Sequence, residues 1–215
     1  MDLPRLSTQR RALLAKATEE YAAALVGSPA EEYLTGRGVP VEVAQRFRLG
    51  YVAEPVDGHE DRFRGKLSIP YLTPTGPVGM RFRKLEAKPE KMKFDQEANQ
   101  RTPFYNVLDL HKSEPWIAVC EGEPDTWVTS GIVGVPAVGI PGVDHWNLNK
   151  MIWSRLLQDY DTVFLLMDPD KAGQGIIPEL MRLVENPVKI NLPADVNDTV
   201  NEYGAAWLLE KMGLN

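Results

Sequence analysis

Along the first part of the chain, apolar positions recur every three to four residues. Within 7–26, Leu14, Ala17, Tyr21 and Ala24 share one side of a helix, and Ser7 is placed to cap it. "SPAEEYL" begins a second helix. Ser28 caps it, Pro29 takes the first helical position and Glu31 completes a capping box. "TGRG" ends that helix, and "VPVEVAQRF" predicts a third, short one. The period then drops to two. "GKLSIPYL" and "PVGMRFRKL" flank "TPTG" and predict a hairpin. Its second arm puts Arg81 and Arg83 on one face, Met80 and Phe82 on the other. Residues 86–103 are polar and predict a loop.

From Trp116 the pattern is strand then helix, repeated. "WIAVC", "VPAVGI", "DTVFLLM" and "PVKINL" read as strands. "PDTWVTSGI", "LNKMIWSRLLQDY", "AGQGIIPELMRLVEN" and "AAWLLEKMGL" read as helices. In the second of these Met151, Leu156 and Tyr160 lie near one face, and Pro178 marks a kink point in the third. The alternation predicts an α/β chain: an α+β segment over 1–115, then a parallel βαβ sheet over 116–215. Right-handed crossovers place the carboxyl ends of those strands along one edge, where ligands bind.

Charge changes the picture more than composition does. The 215 residues are 43% hydrophobic with a net charge of −6, ordinary values for a globular protein. The distribution is uneven. Residues 1–115 hold 18 Lys and Arg against 16 Asp and Glu; residues 116–215 hold 6 against 14. Between Arg62 and Lys93 nine basic residues face two acidic ones. A guanidinium row on a hairpin suits phosphate, whereas a plain solvated face would also account for the excess. The sequence has no 18-residue apolar run and no signal-peptide core, so we expect no membrane span. Its single cysteine, Cys120, makes no intrachain disulfide and suits a reducing cytoplasm.

Acids stand where the predicted strands end. "WIAVC" runs into "EGEPD" with Glu121, Glu123 and Asp125; "TVFLLM" runs into "DPD" with Asp168 and Asp170; the fourth strand leads to Asp195 and Asp198. Carboxylates converging on one edge repel unless a cation lies between them. Mg²⁺ is the natural choice, because it favours carboxylate oxygen and keeps waters for substrate phosphates. Any one of these acids could instead cap a helix, Asp125 and Asp170 especially. The sequence contains no dinucleotide fingerprint, no P-loop and no nucleophile elbow around its serines. The three histidines, His59, His111 and His145, are scattered. Next to Glu121, Cys120 reads as a buried strand thiol rather than a nucleophile.

Glu121, Gly122 and Asp125, followed by Asp168, Asp170 and Gly173, resemble the "EGxxD" and "DxD…G" elements of the Toprim domain. Topoisomerases, bacterial primases, nucleases and recombination mediators share that domain. Three earlier stretches narrow the choice. "EEYLTGRGVPVEVAQRFRLGYV", "DRFRGKLSIPYLTPTGPVGMRFRKL" and "KMKFDQEANQRTPFYNVLDL" are similar to successive segments of the DnaG-type primase RNA polymerase domain, over about residues 30–204.

The resemblance implies a Toprim fold and primer synthesis on single-stranded DNA from nucleoside triphosphates with Mg²⁺ or Mn²⁺. Glu121, Asp168 and Asp170 match the metal site, joined by Asp125 and by Asp198, for which Asp195 competes. Arg62, Arg83 and Lys93 match the template and nucleotide groove, and Arg64, Lys66, Arg81 and Lys171 extend it. For Lys171 a plain surface position at a helix start is the rival reading. The family's zinc-ribbon and helicase-binding parts have no counterpart here, so zinc is not expected. A replicative helicase or a second primase subunit is the implied protein partner. The stripped-down form suits a bacteriophage protein at work in a host cytoplasm. A metal-dependent nuclease and a non-catalytic single-strand-binding adaptor remain open as alternatives.

Overall fold

The computed structural model describes residues 6–86, 93–98, 100 and 102–214, with the side chain of Lys171 excepted. Lys88 and Lys91 of the basic segment lie outside the described residues. The chain divides into two compact units, 1–101 and 102–215.

In the first unit, α1 (Thr8–Ala23), α2 (Pro29–Gly36) and α3 (Val41–Arg46) precede a meander of β1 (Gly50–Tyr51), β2 (Leu67–Thr73), β3 (Gly76–Arg83) and β4 (Phe94–Gln96). The strands pair antiparallel in that order. Ser7 caps α1 through Arg10 N–H. Ser28 Oγ accepts from Ala30 and Glu31 N–H, as its spacing predicts, but Glu31 turns back one residue further, to the N–H of Gly27 at 2.6 Å. Ser28→Ala should therefore cost about 1 kcal/mol in a urea melt.

The predicted hairpin forms, with Ser68 opposite Phe82 and Pro70 opposite Met80. Its inward side chains, Met80 and Phe82, join Leu14, Ala17, Tyr21, Val52, Val56 and Phe63 in one core. Phe63 stacks on Phe82 with centroids 3.9 Å apart. Residues 86–103 depart from the loop reading, because 94–96 add a fourth strand to β3.

That core holds a titratable group. His59 has a fully buried side chain, and its Nδ1 lies 2.9 Å from Tyr21 Oη. Glu97 at 3.5 Å would favour the imidazolium. Burial outweighs it and lowers the His59 pKa below 6.5, because Arg10 already engages that carboxylate. The neutral ring is the folded form, so the unfolded chain takes up the proton first. Stability is then full above the unfolded value and falls as pH drops below about 6.5. Urea melts over that range should show a steeper acid loss for the wild type than for His59→Gln.

The second unit contains β5 (Trp116–Glu121), α4 (Glu123–Thr126) running into a π-helical stretch (Trp127–Val133), β6 (Ala137–Ile140), α5 (Val143–Arg155), β7 (Thr162–Leu166), α6 (Lys171–Leu183), β8 (Pro187–Lys189), α7 (Val196–Tyr203) and α8 (Ala205–Met212). The four strands are parallel in the order β6-β5-β7-β8. Alternate residues Ile117, Val119, Val163 and Leu165 pack with Trp146, Trp153, Ile176 and Leu180, so α5 and α6 cover one face. On the other face Cys120 Sγ lies 3.3 Å from Thr129 Oγ1 of the π-helical stretch. The result is the expected α/β sheet.

Two details differ from the sequence reading. Helix α7, capped by Asp195, fills what read as a loop. The buried face of α5 is Trp146, Trp153 and the following Leu157, while Met151 and Leu156 point outward. Two tryptophans carry more apolar area than the aliphatic positions, and they decide which face turns inward. Among the described residues no helix is long and apolar enough to cross a membrane.

Candidate functional site

β5 and β7 are neighbours in the sheet, with Cys120 level with Leu166, so their carboxyl ends open side by side. Glu121 is the last residue of β5, and Asp168 stands two positions beyond β7. The N–H of Asp168 donates to Glu121 Oε2 at 3.3 Å. Asp170 caps α6, its Oδ1 accepting from Ala172 N–H at 2.8 Å and Gly173 N–H at 2.9 Å. Asp170 is exposed; Glu121 and Asp168 are half-buried. Burial, then the charges of Asp168 and Asp170, push the Glu121 carboxyl up to about 7. Like charge gathers at this edge, as two carboxylates closing a strand predict.

The other predicted acids have different surroundings. Asp125 is buried and accepts from Asn197 N–H at 3.2 Å, so it ties α4 to α7. Glu123 is buried as well. Asp198 is exposed in the first turn of α7, where its own N–H donates to Asp195 Oδ1 at 2.7 Å.

Two residues that the sequence reading did not single out, Gln174 and Lys189, shape the edge together with Gly173, which it did. Gln174 Nε2 donates to the Asp168 carbonyl at 2.9 Å, and Lys189 Nζ donates to Gln174 Oε1 at 2.9 Å. Gly173 lies so close to Glu121 and Asp168 that a Cβ there would overlap both. The glycine of "DPDKAGQ" reads in the sequence as a close helix start, but only the packing of α6 against the strand ends gives the glutamine a task.

Among the described residues no three His, Cys, Asp or Glu side chains are grouped so as to hold one ion. Asp170 is committed to the helix start, which leaves Glu121 and Asp168 as the close pair. Their chemistry still fits a hard divalent cation. Both are oxygen donors, each disfavours the other's charge, and Gly173 keeps the space beside them clear of a side chain.

Apart from Lys171, the predicted basic residues belong to the first unit, where three of them meet carboxylates. Arg62 donates to Glu60 at 2.8 Å and to Asp95 at 2.6 Å. Lys66 reaches Asp95 at 2.9 Å, and Arg64 is held by Asp61 and Glu54. Arg81 and Arg83 project from the same face of β3 and share an aromatic neighbour. Their guanidinium carbons lie 4.3 and 4.9 Å from the centre of Phe94, and Tyr33 flanks Arg83 at 5.4 Å. Arg83 is buried, and Lys93 is exposed just before β4. Lys171 heads α6, and its side chain lies outside the described residues. The sequence reading missed Asp95 and Phe94 because it took their stretch for a loop.

No family model and no curated protein matches the sequence. Solved structures do match. The zinc-binding and RNA polymerase domains of Aquifex aeolicus primase superpose with a TM-score of 0.77 at 20% identity, over 99% of this chain and 63% of that one. A DnaG primase catalytic domain bound to single-stranded DNA gives 0.69 at 19%, over 96% and 80%. The primase fragment of the bacteriophage T7 primase-helicase gives 0.65 at 19%, over 83% and 72%. The chain thus has the fold of primase RNA polymerase domains and spans less than two thirds of the Aquifex aeolicus chain.

Proposed function

We propose that this chain is the catalytic core of a DNA primase, a nucleotidyltransferase that joins ribonucleotides on a single-stranded DNA template during replication. The observation that carries the reading is the Glu121–Asp168 pair at adjoining parallel strand ends, within a fold shared with primase RNA polymerase domains. Glu121 and Asp168 would hold one or two Mg²⁺ or Mn²⁺ ions, with Asp170 contributing from the head of α6. Asp125 ties α4 to α7 instead, and Asp198 stands exposed in the first turn of α7. A bound cation supplies charge neutralisation for the triphosphate and for the phosphoryl group in transfer. The primer 3′-oxygen forms a bond to the α-phosphorus, the bond to the β-phosphate oxygen breaks, and pyrophosphate leaves.

The remaining residues bind and orient. Arg81, half-buried, and exposed Lys93 offer positive charge on the hairpin to phosphates, with salt-dependent affinity, and buried Arg83 reinforces it. Phe94 stiffens the two guanidinium groups from behind. Arg62, Arg64 and Lys66 contribute less, because each must first leave a carboxylate. Lys171 adds positive charge at the head of α6 for the triphosphate. The partner that supplies initiation or recruitment is a replicative helicase or a second primase subunit, in a cytoplasm. One matching structure is itself part of a primase-helicase.

The test is synthesis on single-stranded DNA with labelled ribonucleotides and Mg²⁺ or Mn²⁺. Nucleotide-dependent labelled product supports the reading. Shortened DNA without nucleotides would make the chain a nuclease. Binding with no product under either metal would make it an adaptor.

A further inference from the structure

Helix α5 turns a row of large apolar side chains to solvent. Leu148 is 82% exposed, Met151 58%, Ile152 50% and the adjoining Leu156 46%. Single exposed leucines are ordinary on any protein. These four instead repeat at the spacing of one helical face, opposite Trp146 and Trp153, which fill the core. The other exposed large apolar residues, among them Val26, Val188 and Tyr203, are spread over separate elements. A contiguous apolar stripe on the order of a few hundred Å² is the size at which surface patches mark contact sites.

We propose that this stripe is a self-association surface, on which two copies of the chain pack α5 against α5, antiparallel, about a twofold axis at Ile152. The stripe is self-complementary in shape. Leu148 and Leu156 are equidistant from Ile152, so antiparallel pairing sets Leu148 of each copy against Leu156 of the other and Ile152 against itself. It is also self-complementary in charge. Asp144 precedes Leu148 by four residues, and Arg155 follows Ile152 by three; both are exposed on the same flank. At about 1.5 Å of rise per residue, Arg155 of one copy stands about 7–8 Å along the axis from Asp144 of the other, within an arginine's reach. The area is below the ~800 Å² per partner of a standard interface, so the dimer is weak, with a dissociation constant on the order of 10 μM or above.

Sedimentation velocity on the full chain from about 1 to about 200 μM tests this. The expected result is a shift from the 24.1 kDa monomer toward twice that mass. Ile152→Glu should remain monomeric throughout. Asp144→Arg should weaken association at least about threefold, and adding Arg155→Asp should restore it. Circular dichroism melts confirm that each surface variant is folded. An independent reading comes from Ile152→Cys, which should form a disulfide-linked dimer under mild oxidation, whereas Val26→Cys should not. Buried Cys120 stays silent. A wild type that stays monomeric at the highest concentration overturns the proposal. So does a dimer that survives Ile152→Glu, or a charge swap that fails to restore association.

Discussion

Asp168→Asn is expected to lose at least about a hundredfold of the proposed primer synthesis. With divalent cations chelated, it should nevertheless unfold no more readily than the wild type. The two halves of this expectation have one cause. Asp168 is the second contributor, after burial, to the rise of the Glu121 carboxyl to about 7. Asparagine has the same shape without the charge, and the backbone N–H that serves Glu121 is untouched.

Glu121→Gln should show the stability half more plainly. At a pH above that value the wild type ionises a carboxyl that burial and like charge both oppose. At ~1.4 kcal/mol per unit, and discounted for solvent around a half-buried group, removing that charge should stabilise the chelated protein by about 1–2 kcal/mol. Mg²⁺ should raise the melting temperature of the wild type and leave both variants unchanged. Calorimetry with and without Mg²⁺ reads all of this together. If Mg²⁺ stabilised Asp168→Asn as strongly as the wild type, these acids would not be the metal site. A chelated variant that melts well below the wild type would instead make the carboxylates structural.

The strand ends were legible because a parallel sheet leaves little choice. An apolar run that ends in an acid delivers that acid to the carboxyl edge, and Glu121 and Asp168 meet there as their sequence positions require. The hairpin was legible for a similar reason, since "TPTG" between two alternating runs fixes both the turn and the faces. What failed to show was decided by partners distant in sequence. Asp125 lies one turn into α4, and only the docking of α7 draws it inward to the N–H of Asn197. The strand at 94–96 exists because β3 offers it a ladder, not because its own residues favour extension. The basic excess between Arg62 and Lys93 looked like an open field for phosphate. Asp95, at the far end of that segment, takes up two of its cations. On α5 the helical period was readable but its phase was not, because the tryptophans outweigh a longer row of aliphatic residues.

Two glycines in α6 should respond in opposite directions to the same methyl group. A Cβ on Gly173 would sit 2.2 Å from Glu121 Oε2, 2.5 Å from the Asp168 carbonyl oxygen and 2.9 Å from the Asp168 nitrogen. A long flexible side chain could yield, but two of these three atoms are backbone. Moving Glu121 aside would break its bond with Asp168 N–H, and moving α6 outward would disturb the Asp170 cap and the packing of Ile176 and Leu180. Gly173→Ala should therefore cost about 3 kcal/mol, the upper end for overpacking, and weaken Mg²⁺ binding along with it.

Gly175 has nothing within 4 Å of its would-be Cβ. There alanine simply restores helix propensity, so Gly175→Ala should gain about 0.5–1 kcal/mol. Urea melts of the two variants separate the explanations. Loss in both would mean that the start of α6 resists any added bulk; gain in both would mean that the acids shift freely to make room. Opposite signs would locate the constraint at the contact between Gly173 and the strand ends. The absence of a side chain there lets α6 begin against Glu121 and Asp168, and it lets Gln174, one residue on, brace the Asp168 carbonyl from the same helix.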